Sequence, residues 1–194
     1  MCTTFTLGAA PAECQIDDLI FSSFVYTPVI SAPGAGQIAV NPVSGMSGPE
    51  LEFSGPFFLF GANRFMNFTI QFDVTAASPA FMIDGSGLSV NTITAVGGIA
   101  GIAETANTTP LNITSFGDGA PVEASFDPVS SVHIMKNIVL VTGAQPGVPH
   151  LVVINTIGQQ FSQLLVVPEP ATYLFLGCGL VILPLLARKL IHRG

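Results

Sequence analysis

A chain of 194 residues with 49% hydrophobic and only 9% charged side chains has the make-up of a folded protein with a sizeable core, not of a disordered segment. Residues 1–167 carry two cations, Arg64 and Lys136, against eleven of the twelve acids. That balance argues against nucleic acid as a partner, because phosphate binding needs clustered Lys and Arg to displace counterions, and makes an anionic lipid surface a poor partner for this region.

Taken from the N-terminus, Met1 is followed by CTTFTLGAAPAECQIDD, which has neither a basic leader nor an apolar stretch of secretory length. An exported body therefore requires a signal upstream of Met1 on a longer chain. A tail-anchored protein with a cytoplasmic body is the other arrangement. Cys2 and Cys14 stand twelve positions apart and are expected to close a short loop as a disulfide in an oxidising compartment, worth roughly 3 kcal/mol, whereas a cytoplasmic body would keep two thiols.

The middle of the chain reads as short strands over 18–26, 37–40, 51–60, 66–74, 81–94, 99–105, 111–115, 122–126, 132–141 and 151–161, separated by Gly, Pro, Asn and Asp. Alternation is clearest where Phe68, Ile70, Phe72 and Val74 share one face, the pattern of a half-buried antiparallel strand. The stretch from Val132 to Ile138 alternates less strictly, with His133 and Lys136 among apolar residues. Regular short strands of this kind predict an all-β fold, an antiparallel β-sandwich of nine or ten strands in two sheets.

Chemistry-bearing residues are sparse. A catalytic triad would have to use His133 or His150, and no G-x-S-x-G elbow supplies an activated serine. The same shortage of His and Cys leaves no zinc-ligand cluster, and no metal or cofactor is expected. Glu50 and Glu52 share a strand face and could serve as acid and base, although acids spaced by two usually form a solvated face. Asp17, Asp18, Asp84, Asp118 and Asp127 lie near loop ends without a calcium-loop pattern to organise them. Carbohydrate platforms usually expose aromatic rings, yet Trp is absent, Tyr is limited to Tyr26 and Tyr173, and most of the fifteen Phe fall on faces expected to be core.

Residues 171–187, ATYLFLGCGLVILPLLA, are uncharged and form a helix of roughly 26 Å, close to the ~30 Å of a hydrocarbon core. Leu190 and Ile191 extend the apolar stretch if the basic side chains snorkel. Arg188, Lys189 and Arg193 follow on the C-terminal side, so the positive-inside rule places 188–194 in the cytoplasm and the body across the membrane. Just before the span, Pro168, Glu169 and Pro170 enforce an extended, exposed approach.

The order of VPEP, apolar span and short basic end resembles the PEP-CTERM sorting signal of bacterial exported proteins. The resemblance implies an exosortase-type membrane protease that recognises Pro168, Glu169 and Pro170, a stay in the inner membrane before processing, and later release to the cell surface or extracellular space. Such proteins are associated with exopolysaccharide and biofilm. Interruption of the basic end by Leu190, Ile191 and His192, and Pro184 within the span, depart from the pattern. The body also resembles a recurrent exported domain that accompanies this signal, through Cys14 to Phe24, residues 126–129 leading into 132–139, and Phe161-Ser162 ahead of the PEP. The expected organisation is a β-sandwich over 1–163, a linker with the PEP motif over 164–170, one transmembrane helix over 171–187 and a basic cytoplasmic end over 188–194. The expected function is that of a noncatalytic surface or matrix protein; the alternative is a carbohydrate- or calcium-binding module.

Overall fold

The computed structural model describes residues 1–45, 48–114, 122–145 and 147–166. Among these residues thirteen strands follow one another: β1 (Phe5–Thr6), β2 (Glu13–Ile16), β3 (Leu19–Ile30), β4 (Ala39–Gly45), β5 (Gly48–Ser54), β6 (Phe58–Phe60), β7 (Phe65–Ala76), β8 (Phe81–Val96), β9 (Gly98–Ala106), β10 (Thr109–Thr114), β11 (Val122–Val129), β12 (Ser131–Thr142) and β13 (Leu151–Leu165). One sheet has the order β10-β9-β12-β7-β3-β2. The other has the order β1-β4-β5-β13-β8-β11, with β6 pairing the start of β13. The fold is an all-β antiparallel sandwich.

Phe68, Ile70, Phe72 and Val74 are wholly buried on the inner face of β7, as their alternation requires. Phe72 is the hub of the aromatic packing, with ring centroids 6.4 Å from Phe21, 5.5 Å from Phe24 and 5.8 Å from Phe53 of the opposite sheet. Burying a Phe side chain contributes about 1.5–3 kcal/mol, so this cluster accounts for much of the adhesion between sheets.

The count exceeds the nine or ten strands expected, for local reasons. The single strand expected over 51–60 is two strands, because Gly55 and Pro56 break the ladder between β5 and β6. β1 and β2 are edge strands of two and four residues, too short to show a period. The start of the predicted strand 37–40 belongs to a 3-10 turn, Ala35–Gln37. β12, by contrast, alternates strictly. Val132, Ile134, Lys136, Ile138 and Leu140 all point inward, and the irregularity seen in the sequence is a lysine standing in a core position.

Cys2 and Cys14 form a disulfide with Cα atoms 4.6 Å apart, tying the N-terminus to β2. Among the described residues no helix is long and apolar enough to cross a membrane. The expected span over 171–187, its flanking Arg188, Lys189 and Arg193, and the motif Pro168, Glu169 and Pro170 lie outside the described residues. The chain divides into two units, Met1–Leu164 and Leu165–Gly194, and the sandwich occupies the first.

Candidate functional site

Antiparallel pairing brings distant segments together on the outer face of the seven-stranded sheet. Glu50 of β5 lies opposite Gln160 of β13, and Glu52 opposite Gly158. Two strands further along, Glu123 of β11 lies opposite Gly87 of β8, and Ser125 opposite Gly85. Since β13 and β8 are neighbours, the face presents an open trough of about 260 Å³ with Gly85 and Gly87 in its floor and Glu123, Ser125, Gln160 and Ser162 along its sides.

Small residues create that trough. A Cβ on Gly87 would lie 3.6 Å from Glu123 Cγ and 3.7 Å from Gln160 Cβ, occupying the space between the two walls. A Cβ on Gly158 would collide with Ser89 Oγ and Glu50 Oε1, which converge over its bare backbone. Ser162 Oγ donates to Asp84 Oδ1 at 2.7 Å, fixing one corner. Burial first, and the neighbouring Glu52 second, push the Glu50 carboxyl above its ordinary value. The walls, with Glu123, and the adjoining Glu50 thus offer carboxyl groups together with amide and hydroxyl groups that both donate and accept.

At the other end of β13 the same outer face is aromatic. Phe60 pairs with Leu151 and Phe58 with Val153, while Leu59 between them points inward. Phe58 is 54% and Phe60 75% exposed, so these two stand in solvent while most of the phenylalanines were expected on core faces. The phase of the run Phe57-Phe58-Leu59-Phe60 depends on pairing with β13, and no local signal gives it. From Val153 to Ser162, β13 extends about 30 Å, so the face has an aromatic end and a polar end separated by an oligosaccharide-sized distance.

The other sequence-derived candidates have structural duties. His150 is buried, with Nδ1 and Nε2 each 2.8 Å from a backbone carbonyl oxygen, those of Gly97 and Gln145. His133 Nδ1 lies 2.7 Å from Asp73 Oδ1 on the outer face of the six-stranded sheet. That hydrogen bond, aided by one from Ser23, holds the Asp73 carboxyl below its ordinary range. Asp73 therefore stands between an imidazole and a hydroxyl, the reverse of a triad, in which the imidazole is central. Glu50 and Glu52 do share the outward face of β5. Among the described residues no group of three His, Cys, Asp or Glu is placed to hold a metal ion; Asp17, Asp18, Asp84 and Asp127 are dispersed, and Asp118 lies outside the described residues.

One constellation escaped the sequence reading. Lys136 Nζ, wholly buried between the sheets, donates to Glu104 Oε2 and to Gln159 Oε1. Gln159 Nε2 donates to Ser86 Oγ at 2.6 Å, and Ser86 Oγ donates to Glu104 Oε1 at 3.4 Å, closing a ring of four side chains from β12, β9, β13 and β8. The available signal was a polar residue at an inward phase: Glu104 between Ile102 and Ala106, Lys136 between Ile134 and Ile138, Gln159 between Ile157 and Phe161.

The residues thus define a two-sheet β-sandwich with an open outer face, aromatic at one end and acidic at the other. No family model matches the chain, and no curated protein matches it by sequence. Among solved structures it is similar to the TmCBM61 module in complex with β-1,4-galactotriose, at 12% identity and a TM-score of 0.33 over 75% of this chain and 90% of that one. It is similar to the family 11 carbohydrate-binding module of Clostridium thermocellum in complex with a β-1,3-1,4-mixed-linked tetrasaccharide, at 14% identity and a TM-score of 0.26 over 74% and 98%. It is also similar to the enzymatically active domain of bacteriophage CBA120 tailspike protein 4, at 10% identity and a TM-score of 0.30 over 78% of this chain and 20% of that one.

Proposed function

We propose that this chain is a noncatalytic, exported β-sandwich that binds an uncharged polysaccharide along the outer face of its seven-stranded sheet. The observation that carries the reading is the shared face of β13, where Phe58 and Phe60 stand exposed at one end and a glycine-floored polar trough opens at the other. A sugar ring has apolar C–H faces that stack on aromatic rings and an equator of hydroxyls that both donate and accept. Glu50, Glu123 and Gln160 are suited to the hydroxyls, and Phe58 and Phe60 to the faces. The acids repel uronic or sulfated polymers and direct the preference toward neutral ones.

The tail supplies the address. Pro168, Glu169 and Pro170, the apolar stretch 171–187 and the basic Arg188, Lys189 and Arg193 support delivery by the PEP-CTERM route, with an exosortase as processing partner and the extracellular polysaccharide as destination. Native gels cast with neutral glucans or galactans test the binding: the chain is retarded in them and runs freely in alginate. Mass spectrometry of the extracellular fraction tests the delivery, with peptides of the body present and those of 188–194 missing.

A further inference from the structure

The buried ring around Lys136 has no part in the outer face, and its chemistry is unusual for a core. Lys136, Glu104 and Gln159 are each at most 1% exposed and Ser86 is 3% exposed, and Ile102, Ile134, Ile138 and Phe161, two positions away on the same strands, are buried as well. An ion pair in this position is seldom worth its desolvation, since apolar residues of similar volume would pack as well or better. The arrangement does, however, set an amine against an amide carbonyl, with a carboxylate touching the amine and a hydroxyl joining that carboxylate to the amide nitrogen.

We propose that Lys136 and Gln159 are the site of a self-formed isopeptide bond between the two sheets, with Glu104 as the proton-transferring group. The Lys136 Nζ lone pair adds to Cδ of Gln159 while Glu104 Oε2 takes the Nζ proton. The tetrahedral carbon then expels Nε2, which receives a proton from Glu104 through Ser86 Oγ and leaves as ammonia. One C–N bond forms, between Nζ and Cδ, and one breaks, between Cδ and Nε2. Nothing is oxidised or reduced, and no further reactant is required.

Three features of the site favour the reaction. Removal from water pushes the Lys136 amine below its ordinary value, against the opposing pull of the Glu104 carboxylate, which raises the share of the nucleophilic free base. Folding holds the reacting groups in contact, replacing a bimolecular encounter by a fixed approach. Exclusion of water suppresses hydrolysis of the amide as a competing outcome. The product would join β12 of one sheet to β13 of the other, fastening the last strand before the tail to the body.

Trypsin provides the test, because Arg64 and Lys136 are the only cleavage sites in residues 1–167. The full chain, folded, then denatured, reduced and digested, is expected to resist cleavage after Lys136 and to give a fragment spanning 65–188 that is lighter than its sequence by one ammonia. Glu104→Gln and Gln159→Met are expected to restore both cleavage and mass. Should those variants fail to fold, the wild-type fragment decides alone. Complete cleavage after Lys136 with unaltered masses overturns the proposal. Loss of one water with Lys136 joined to Glu104 overturns the assignment to Gln159.

Discussion

His150 Nδ1 lies 2.8 Å from the carbonyl oxygen of Gly97, where β8 turns into β9, and the second ring nitrogen is equally close to the carbonyl of Gln145. A carbonyl only accepts, so satisfying both contacts requires both nitrogens to carry protons. Gln145 first and Gly97 second raise the His150 pKa. A raised folded-state value contributes stability that is fully present below the unfolded value of about 6.5 and is lost as pH rises through the folded value. The melting temperature is therefore expected to fall as the medium becomes alkaline, and His150→Gln to flatten that dependence. Thermal scans across neutral pH check both.

Glu50 has the same sign at lower pH. Its folded-state value is raised by burial and then by Glu52, so its contribution is complete below about 4.3 and is lost as pH rises through the folded value. Glu50→Gln is expected to raise the melting temperature slightly at neutral pH and to leave it unchanged in acid. Asp73 opposes this trend. Its lowered value contributes stability above about 3.9 that is lost as pH falls through the folded value, and His133→Gln shifts its titration upward in an NMR pH series.

Removing one member of the buried ring is expected to be severe. Lys136→Ala removes the nitrogen that Glu104 Oε2 contacts in the core, whether that nitrogen is an amine or has been joined to Gln159, and leaves the carboxyl without its buried partner, a loss of about 3–5 kcal/mol in denaturant unfolding. Lys136→Met combined with Glu104→Gln recovers part of that loss, because no buried charge remains.

Substitutions on the outer face should separate binding from stability. Phe60 is so exposed that Phe60→Ala is expected to change stability by no more than about 0.5 kcal/mol. Its affinity for a neutral polysaccharide should fall about tenfold, equivalent to roughly 1.4 kcal/mol. Gly158→Ala displaces Ser89 and Glu50 and should weaken binding without unfolding the chain. Parallel titration calorimetry and thermal scans measure the two effects.

Much of the fold was legible in the sequence, because alternation such as that of Phe68 to Val74 reports burial directly. Strand number was less so: Leu51 to Phe60 reads as one strand, and only Gly55 and Pro56 hint at the break between β5 and β6. Glu50 and Glu52 were correctly placed on one outward face. The trough itself was not legible, since it requires β13, β8 and β11 to be neighbours, a matter of topology among segments far apart in the chain. Lys136 was visible only as a fault in a pattern, whose meaning emerged once Glu104 paired with it in register.

The most direct test of the proposed function is retardation of the chain in native gels containing a neutral polysaccharide, run beside a Phe60→Ala, Glu123→Ala double variant. The wild-type chain is expected to be retarded in proportion to polysaccharide concentration while the folded variant runs freely. Equal migration of the two in every neutral polymer tried, or stronger retardation of both by alginate, would contradict it.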